Sequence, residues 1–308
     1  MTRITTGSKT RGTARSTARG TLAAVGAAGA ALLLAACSGG TTPEAEGNTL
    51  ERLQEAGTIT LAIADERPYS WVDESGEATG ATIAMHREIF KGLGIDNVEV
   101  VEVDWNSLIP GLNAGRFDAI SAGMSILPDR CAQAAFSDPE IMYTTALAVP
   151  KGNPEKLSDL DSVAERGGDV TLAVLGGAVE ADYATQLGIA NTLQVDNAQA
   201  GIEAVQNGRA DAFTLTSVSL NWMAENQSDI ETTQAFVQRL DGVEQVGAGG
   251  TVFRKADTDL LEAYNEQLAK ITGDEATYLS LVEEFGFTAE NLPPASLTTE
   301  QLCSGDSQ

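Results

Sequence analysis

The sequence carries one histidine, His86, and three cysteines, Cys37, Cys131 and Cys303, so general-base and thiol chemistry have few places to act. His86 stands mid-helix between Met85 and Arg87-Glu88, which reads as a surface position. No nucleophile is evident with a base beside it, and nucleophilic catalysis needs the two within hydrogen-bond reach. Neither a Gly-rich phosphate loop nor a spaced set of metal ligands occurs. Binding chemistry is better represented. Arg130 offers a guanidinium fork that can grip a carboxylate through two parallel charge-assisted hydrogen bonds. Gly176-Gly177-Ala178 opens a helix, where unengaged backbone N–H groups can meet an anion. Tyr69 and Trp105 offer ring faces, each worth ~0.5–2 kcal/mol to a delocalised cation once water is excluded. Core filling is the competing role for Trp105. Glu66, between Asp65 and Arg67, is either an acid facing a bound cation or a solvated charge. The expectation is a binder without catalytic residue, cofactor or metal.

Those residues need elements to hold them, and one element is written twice. "NAGRFDAI" at 113–120 returns as "QNGRADAF" at 206–213, 93 positions later. Each copy reads as an amphipathic helix, a glycine just past its end (Gly115, Gly208), an arginine, and a short strand opening with aspartate. Glycine suits the helix end because it enters the left-handed region without a side-chain penalty. Around the copies, apolar periodicity predicts strands at 58–64, 98–103, 118–122 and 143–149. A second series has strands at 170–174, near Leu193, and at 211–215, and a further strand covers 251–254. Helices are predicted at 81–93, 107–114, 157–165, 178–187, 198–207, 257–271 and 274–285. Alternating strands and helices imply α/β units with mainly parallel sheets. The breaker cluster Pro150-Lys151-Gly152-Asn153-Pro154 and the glycine run at 247–250 divide the series. Two lobes follow, the second inserted in the first: 50–148 with 248–308, and 149–247. The repeated phrase is then one helix-to-strand element, used once in each lobe.

The start of the chain has another logic. Arg3, Lys9, Arg11, Arg15 and Arg19 carry five positive charges without an acid, and an Ala-rich apolar run at 22–36 follows. This describes a secretory signal over 1–36; fifteen small apolar residues fall short of the ~20 a membrane span needs. Cys37 directly after Leu34-Ala35-Ala36 resembles the bacterial lipoprotein signal, in which that cysteine is acylated, and two or more acyl chains anchor stably. Residues 37–49, rich in Gly, Thr, Pro and Glu, read as a flexible tether. Loss of the signal shifts the net charge from −25 to −30, which argues against nucleic acid and anionic lipid as partners. In an exported setting Cys131 and Cys303 are expected to pair; two unrelated buried thiols are the alternative.

The blocks "GTITLAIADERPYSWVDESGEATGA", "WNSLIPGLNAGRFDAISAGMSILPDR", "AFSDP", "VQNGRADAF" and "FRKADTDLLEAYNEQLAKI", in that order from about Leu50 to Phe287, resemble the bacterial extracellular solute-binding proteins of polar amino-acid type. That resemblance implies a type II periplasmic-binding-protein-like fold with two hinge crossings. It also implies a monomeric receptor that hands a small zwitterion to the permease of an ABC importer and touches the membrane only through its lipid. Arg130-Cys131-Ala132, Lys151-Gly152-Asn153-Pro154 and Phe285-Gly286-Phe287 leading to Leu302-Cys303 resemble the ectoine/hydroxyectoine-binding subgroup most. From it the expected ligand residues are Glu66, Tyr69, Trp105, Gly123, Ser125, Arg130, Ala178 and Thr216. Arg130 takes the carboxylate clamp, Glu66 faces the ring nitrogens, and Tyr69 and Trp105 supply two aromatics of a box.

Three positions depart from the pattern. Ala178 replaces a frequent threonine and loses one hydroxyl donor. Thr216 stands where amino-acid binders carry an aspartate for the α-ammonium, and burying an ammonium without a paired charge is costly. Ser125 replaces the third aromatic, as in amino-acid binders, leaving Trp71 or Tyr143 to fill the gap. A polar α-amino acid is therefore the alternative ligand. An extracellular dehydratase on the same scaffold, or a sensor signalling through a membrane partner, is the alternative role.

Overall fold

A computed structural model describes residues 48–225 and 227–305. Cys37, the signal at 1–36 and all but the last two residues of the expected tether lie outside them. The first described element is a helix, Thr49–Ala56, capped by Asn48, whose side-chain oxygen accepts from the Glu51 amide.

Two sheets organise the rest, and they share one plan. In the first, Thr58–Ile63 pairs in parallel with Asn97–Glu102 on one side and Ala119–Ser125 on the other. Gly247–Phe253 then runs antiparallel to Ala119–Ser125. In the second, Leu172–Leu175 pairs in parallel with Thr192–Val195 and Ala212–Thr216, and Thr145–Pro150 runs antiparallel to Ala212–Thr216. In each sheet these three parallel strands and the antiparallel strand beside them come in the same spatial order, with short further strands paired beyond. The central strands are buried through their lengths, as sheets covered on both faces require, whereas Asn97–Glu102 is an exposed edge bearing Glu99 and Glu102.

The sequence repeat occupies equivalent places in these sheets. Helix Leu108–Asn113 passes through Gly115 (φ 70°) into Ala119–Ser125, and helix Ala198–Gln206 passes through Gly208 (φ 64°) into Ala212–Thr216. The two aspartates do the same work. Asp118 Oδ2 accepts from the Thr60 amide at 3.0 Å, and Asp211 Oδ2 accepts from the Thr171 amide at 2.8 Å. Each aspartate N–H in turn donates to the carbonyl of that same threonine, at 2.8 Å in both lobes. The shared phrase is the code for tying one strand's start to its parallel neighbour.

Several expectations need correction. The predicted strand 143–149 is two: Ile141–Tyr143 pairs in the first sheet and Thr145–Pro150 in the second. The chain therefore changes sheets at Thr144, four residues before the expected boundary at 148/149. The glycine run at 247–250 is not a separator but the first half of strand Gly247–Phe253. Its glycines are required by crowding, since a Cβ at Gly249 would collide with the carbonyl oxygen of Gly123 and one at Gly247 with that of Tyr143. Helix Ser217–Ala224 was not foreseen; its weak amphipathic pattern gives no periodic signal. His86 is fully buried rather than at the surface. Its Nε2 meets Thr251 Oγ1 at 2.6 Å, and that hydroxyl joins Tyr264 and, through it, Glu140. Burial alone holds the imidazole neutral, with its pKa near 3.

Candidate ligand-binding site

In open α/β sheets the carboxyl ends of parallel strands form the binding crevice, and the expected ligand residues gather there. Glu66 and Tyr69 follow Thr58–Ile63, and Trp105 follows Asn97–Glu102. Gly123 and Ser125 end Ala119–Ser125, Ala178 follows Leu172–Leu175, and Thr216 ends Ala212–Thr216. These seven line one cavity between the sheets, of about 20 Å³. A larger open cleft beside the sheet crossings, lined in part by Met142, Trp222 and Phe285, contains none of the eight expected ligand residues.

Glu66 is 6 % exposed, so it is not a solvated charge. Ser219 Oγ donates to its Oε1 at 2.8 Å and Thr216 Oγ1 at 3.3 Å. Both donors come from the second sheet's side, so the acid spans the crevice. Burial raises its pKa to about 7 against the pull of those two hydroxyls. Thr216 acts here as a buttress for the acid. Ser219 was missed because a serine inside an unrecognised helix carries no pattern of its own.

Tyr69 is buried and set edge-on against Phe287, 5.2 Å between centroids. Gly123 is what admits its ring: φ is +55°, and a Cβ there would stand 2.5 Å from Tyr69 Cδ1. Trp105, 9 % exposed, lines the cavity and donates from Nε1 to the Gly177 carbonyl at 3.0 Å, again across the crevice. The gap left by Ser125 has an occupant. Tyr143 lines the cavity beside it and donates from its hydroxyl to Ser125 Oγ at 2.5 Å. Trp71, the other candidate, instead packs on Trp222 and Phe285.

Arg130 differs from the expectation in its contacts. It does not line that cavity. Nη1 donates to the Ser125 carbonyl at 3.1 Å and Nη2 to the Gly177 carbonyl at 2.8 Å, and the guanidinium lies 5.6 Å from the Trp105 ring. It braces the wall between Ser125 and Gly177, both sides of the crevice at once. Among the described residues no carboxylate is within ion-pair distance of it, although it is 9 % exposed, and burial lowers its pKa. The amides expected to be free beside it are partly engaged: the Gly176 N–H donates to Val195 and the Ala178 N–H to Leu175. An anion there would have to use the remaining donors.

A second acid, Glu180, lines the same cavity and is 2 % exposed. Its pKa is raised to about 7, mainly by burial and further by Glu66, with Arg130 opposing. In sequence it is one of two acids in the first turn of helix Val179–Gln186, where acids favour the helix dipole anyway. That ordinary role hid it. The site therefore joins two buried acids, three aromatics and an adjacent unpaired guanidinium: complementary to a small molecule with both a carboxylate and a delocalised cation. Among the described residues no group of three or more His, Cys, Asp or Glu side chains is placed to hold a metal.

Cys131 and Cys303 are joined, with Cα atoms 5.7 Å apart. The bridge fastens helix Thr299–Ser304 to the short helix Pro128–Cys131 that bears Arg130.

Comparison with known proteins agrees with this architecture. Residues 59–286 match the bacterial extracellular solute-binding proteins, family 3. A probable amino-acid ABC transporter periplasmic-binding protein of Sinorhizobium fredii is 34 % identical over 263 residues, spanning 83 % of this chain and 86 % of the relative. The ABC transporter glutamine-binding protein of Bacillus subtilis is 26 % identical, spanning 80 % and 89 %. Among solved structures, EhuB in complex with hydroxyectoine superposes with a TM-score of 0.74 at 34 % identity, over 83 % of this chain and 98 % of that one. An ancestral amino-acid-binding protein, a precursor of cyclohexadienyl dehydratase, gives 0.68 at 28 % identity, over 77 % and 99 %. The two-lobed architecture is the type II periplasmic-binding-protein fold.

Proposed function

This chain belongs to the bacterial extracellular solute-binding proteins of family 3, and on that premise we propose that its solute is ectoine or hydroxyectoine. As a member it is an exported solute-binding receptor of an amino-acid-type ABC importer, and its relatives are binding proteins rather than enzymes. The observation that carries the choice of solute is the pairing, in one crevice, of a buried acid among aromatics with a buried, unpaired guanidinium. Ectoine is a ring amidinium bearing a carboxylate. Glu66 takes the amidinium N–H groups, Tyr69, Trp105 and Tyr143 surround the ring, and Arg130 gives up a carbonyl to take the carboxylate. Arg130 and Trp105 both touch Gly177 across the crevice, so a solute held by them favours the closed arrangement of lobes. The likeness to EhuB supports the same choice.

A second reading, a receptor for a polar α-amino acid, is favoured by the Ser125 hydroxyl at the cavity and by Glu180, which supplies the charge for an ammonium that Thr216 lacks. A thermal-shift screen of zwitterionic solutes separates the two. A bound solute at 100 times its dissociation constant adds ~2.7 kcal/mol of stability. Ectoine or hydroxyectoine is expected to give the largest shift; a larger shift with glutamine, glutamate, arginine or histidine selects the second reading. The receptor is held at the outer face of the membrane by lipid on Cys37, and it works as a monomer with the permease as its partner.

A further inference from the structure

Two polar atoms in the cavity are buried without a hydrogen-bond partner: the Tyr69 hydroxyl and Glu180 Oε1. The Tyr69 hydroxyl lies beside Thr216, whose Oγ1 is also within reach of Glu66 and Ser219, but no hydrogen bond of good geometry joins the two. Orphaned buried polar groups cost about 1–3 kcal/mol each, and native interiors seldom leave two in one small space. They are also chemically matched. A phenol O–H donates and a carboxylate oxygen accepts, so a single ligand group that both accepts and donates would complete the pair. They come from opposite sides of the crevice: Tyr69 follows Thr58–Ile63, and Glu180 begins helix Val179–Gln186. The Glu180 charge reaches across to Tyr69, being among the influences that raise the Tyr69 pKa.

The other cavity groups do not need such a partner. Glu66 Oε1 is held by two hydroxyls, Trp105 Nε1 is spent on Gly177, and Ser125 Oγ receives the Tyr143 proton. Ectoine's carboxylate and amidinium are accounted for by Arg130 and Glu66, so ectoine itself has nothing for Glu180. Its ring-hydroxylated form has one more O–H.

We propose that Glu180, with Tyr69, forms a hydroxyl-reading subsite that makes this receptor select the ring-hydroxylated solute over the unhydroxylated one. This rests on the ectoine-type reading above. Sites built to hydrogen-bond a ligand hydroxyl discriminate strongly against the analogue without it, because their own polar groups are then left unpaired. Glu180 is a specificity residue here, and its charge adds a general attraction for any cation. That attraction acts on both solutes alike, so the ratio of the two affinities isolates the subsite.

The test is calorimetric titration of hydroxyectoine and ectoine, at pH 8, into the wild-type protein and into the Glu180→Met and Glu180→Gln variants. Methionine keeps the length and volume without an acceptor, and glutamine keeps a neutral one, so at least one variant is expected to fold. Wild type is expected to prefer hydroxyectoine by about tenfold or more, the scale of one hydrogen bond to a charged group. The preference should fall to within about twofold of unity in Glu180→Met and to an intermediate value in Glu180→Gln. A preference unchanged by the substitutions, or absent in wild type while both solutes bind, overturns the hydroxyl subsite alone. Failure of wild type to bind either solute while binding a polar amino acid overturns the ectoine-type reading and the subsite with it.

Discussion

Each side chain at the site is asked to do one thing, and each can be removed separately. Trp105 contributes a ring face and the bond to Gly177, so Trp105→Ala should weaken ectoine binding by ~1–3 kcal/mol through lost packing and cation–π attraction. Arg130→Ala should cost more, ~2–5 kcal/mol, because the solute's carboxylate is then buried unpaired. Titration calorimetry on both variants checks the order; a larger loss at Trp105 than at Arg130 would move the carboxylate away from Arg130. Glu66 and Glu180 add a dependence on pH. Burial holds both folded pKa values near 7, above the ordinary carboxylate value of 4.5, so the folded protein without solute holds protons that the unfolded chain has released between those limits. Without solute, stability should therefore fall as pH rises from about 4.5 to about 7. A bound cation favours the ionised acids, so affinity should rise from pH 6 to pH 8 with release of protons. Titrations in buffers of different ionisation enthalpy would reveal that release; affinity that is flat across the window would contradict the assignment of Glu66 to the cation.

At the scale of elements, the repeated helix-to-strand unit was legible because its parts are local: a periodic apolar face, a glycine at the left-handed position and an aspartate reaching one strand over. The strand ends were legible too, and seven of the eight expected residues reach one cavity because they sit at the same end of parallel strands. What stayed hidden depends on packing between distant segments. Helix Ser217–Ala224 has no strong apolar stripe, yet it supplies Ser219 to Glu66. The strand at 247–253 looked like a linker because its glycines are dictated by close approach of other backbone, not by turn formation. His86 looked exposed because its partners, Thr251 and Tyr264, lie 165 and 178 positions on. Gly123 offers the sharpest local test. Gly123→Ala places a methyl against Tyr69 on a backbone at φ +55°, and should displace the ring and abolish solute binding, with a loss of stability of ~1–3 kcal/mol. Calorimetry with thermal unfolding measures both; wild-type affinity in that variant would mean Tyr69 is not part of the box. The Cys131–Cys303 bridge closes a separation of 172 residues, and the chain-entropy account allows up to ~5 kcal/mol, often less in practice. Mass spectrometry of unreduced protein should find it closed, and two free thiols would contradict it.

The whole molecule is a two-lobed receptor of acidic composition. If Cys37 carries the lipid, Cys37→Ser should release the protein from membranes and leave solute affinity intact, because the cysteine precedes the described fold; retention after a high-salt wash would exclude lipid as the anchor. Closure itself is expected to follow the solute, since Glu66–Ser219, Trp105–Gly177 and Arg130–Gly177 bridge the lobes around the cavity. The ligand is the claim on which the rest depends. Titration calorimetry of ectoine, hydroxyectoine, glutamate, glutamine, arginine and histidine into the wild-type protein measures it directly. The account predicts that one or both of the ectoines bind more tightly than all four amino acids; any of those amino acids binding at least tenfold more tightly than either ectoine would contradict it.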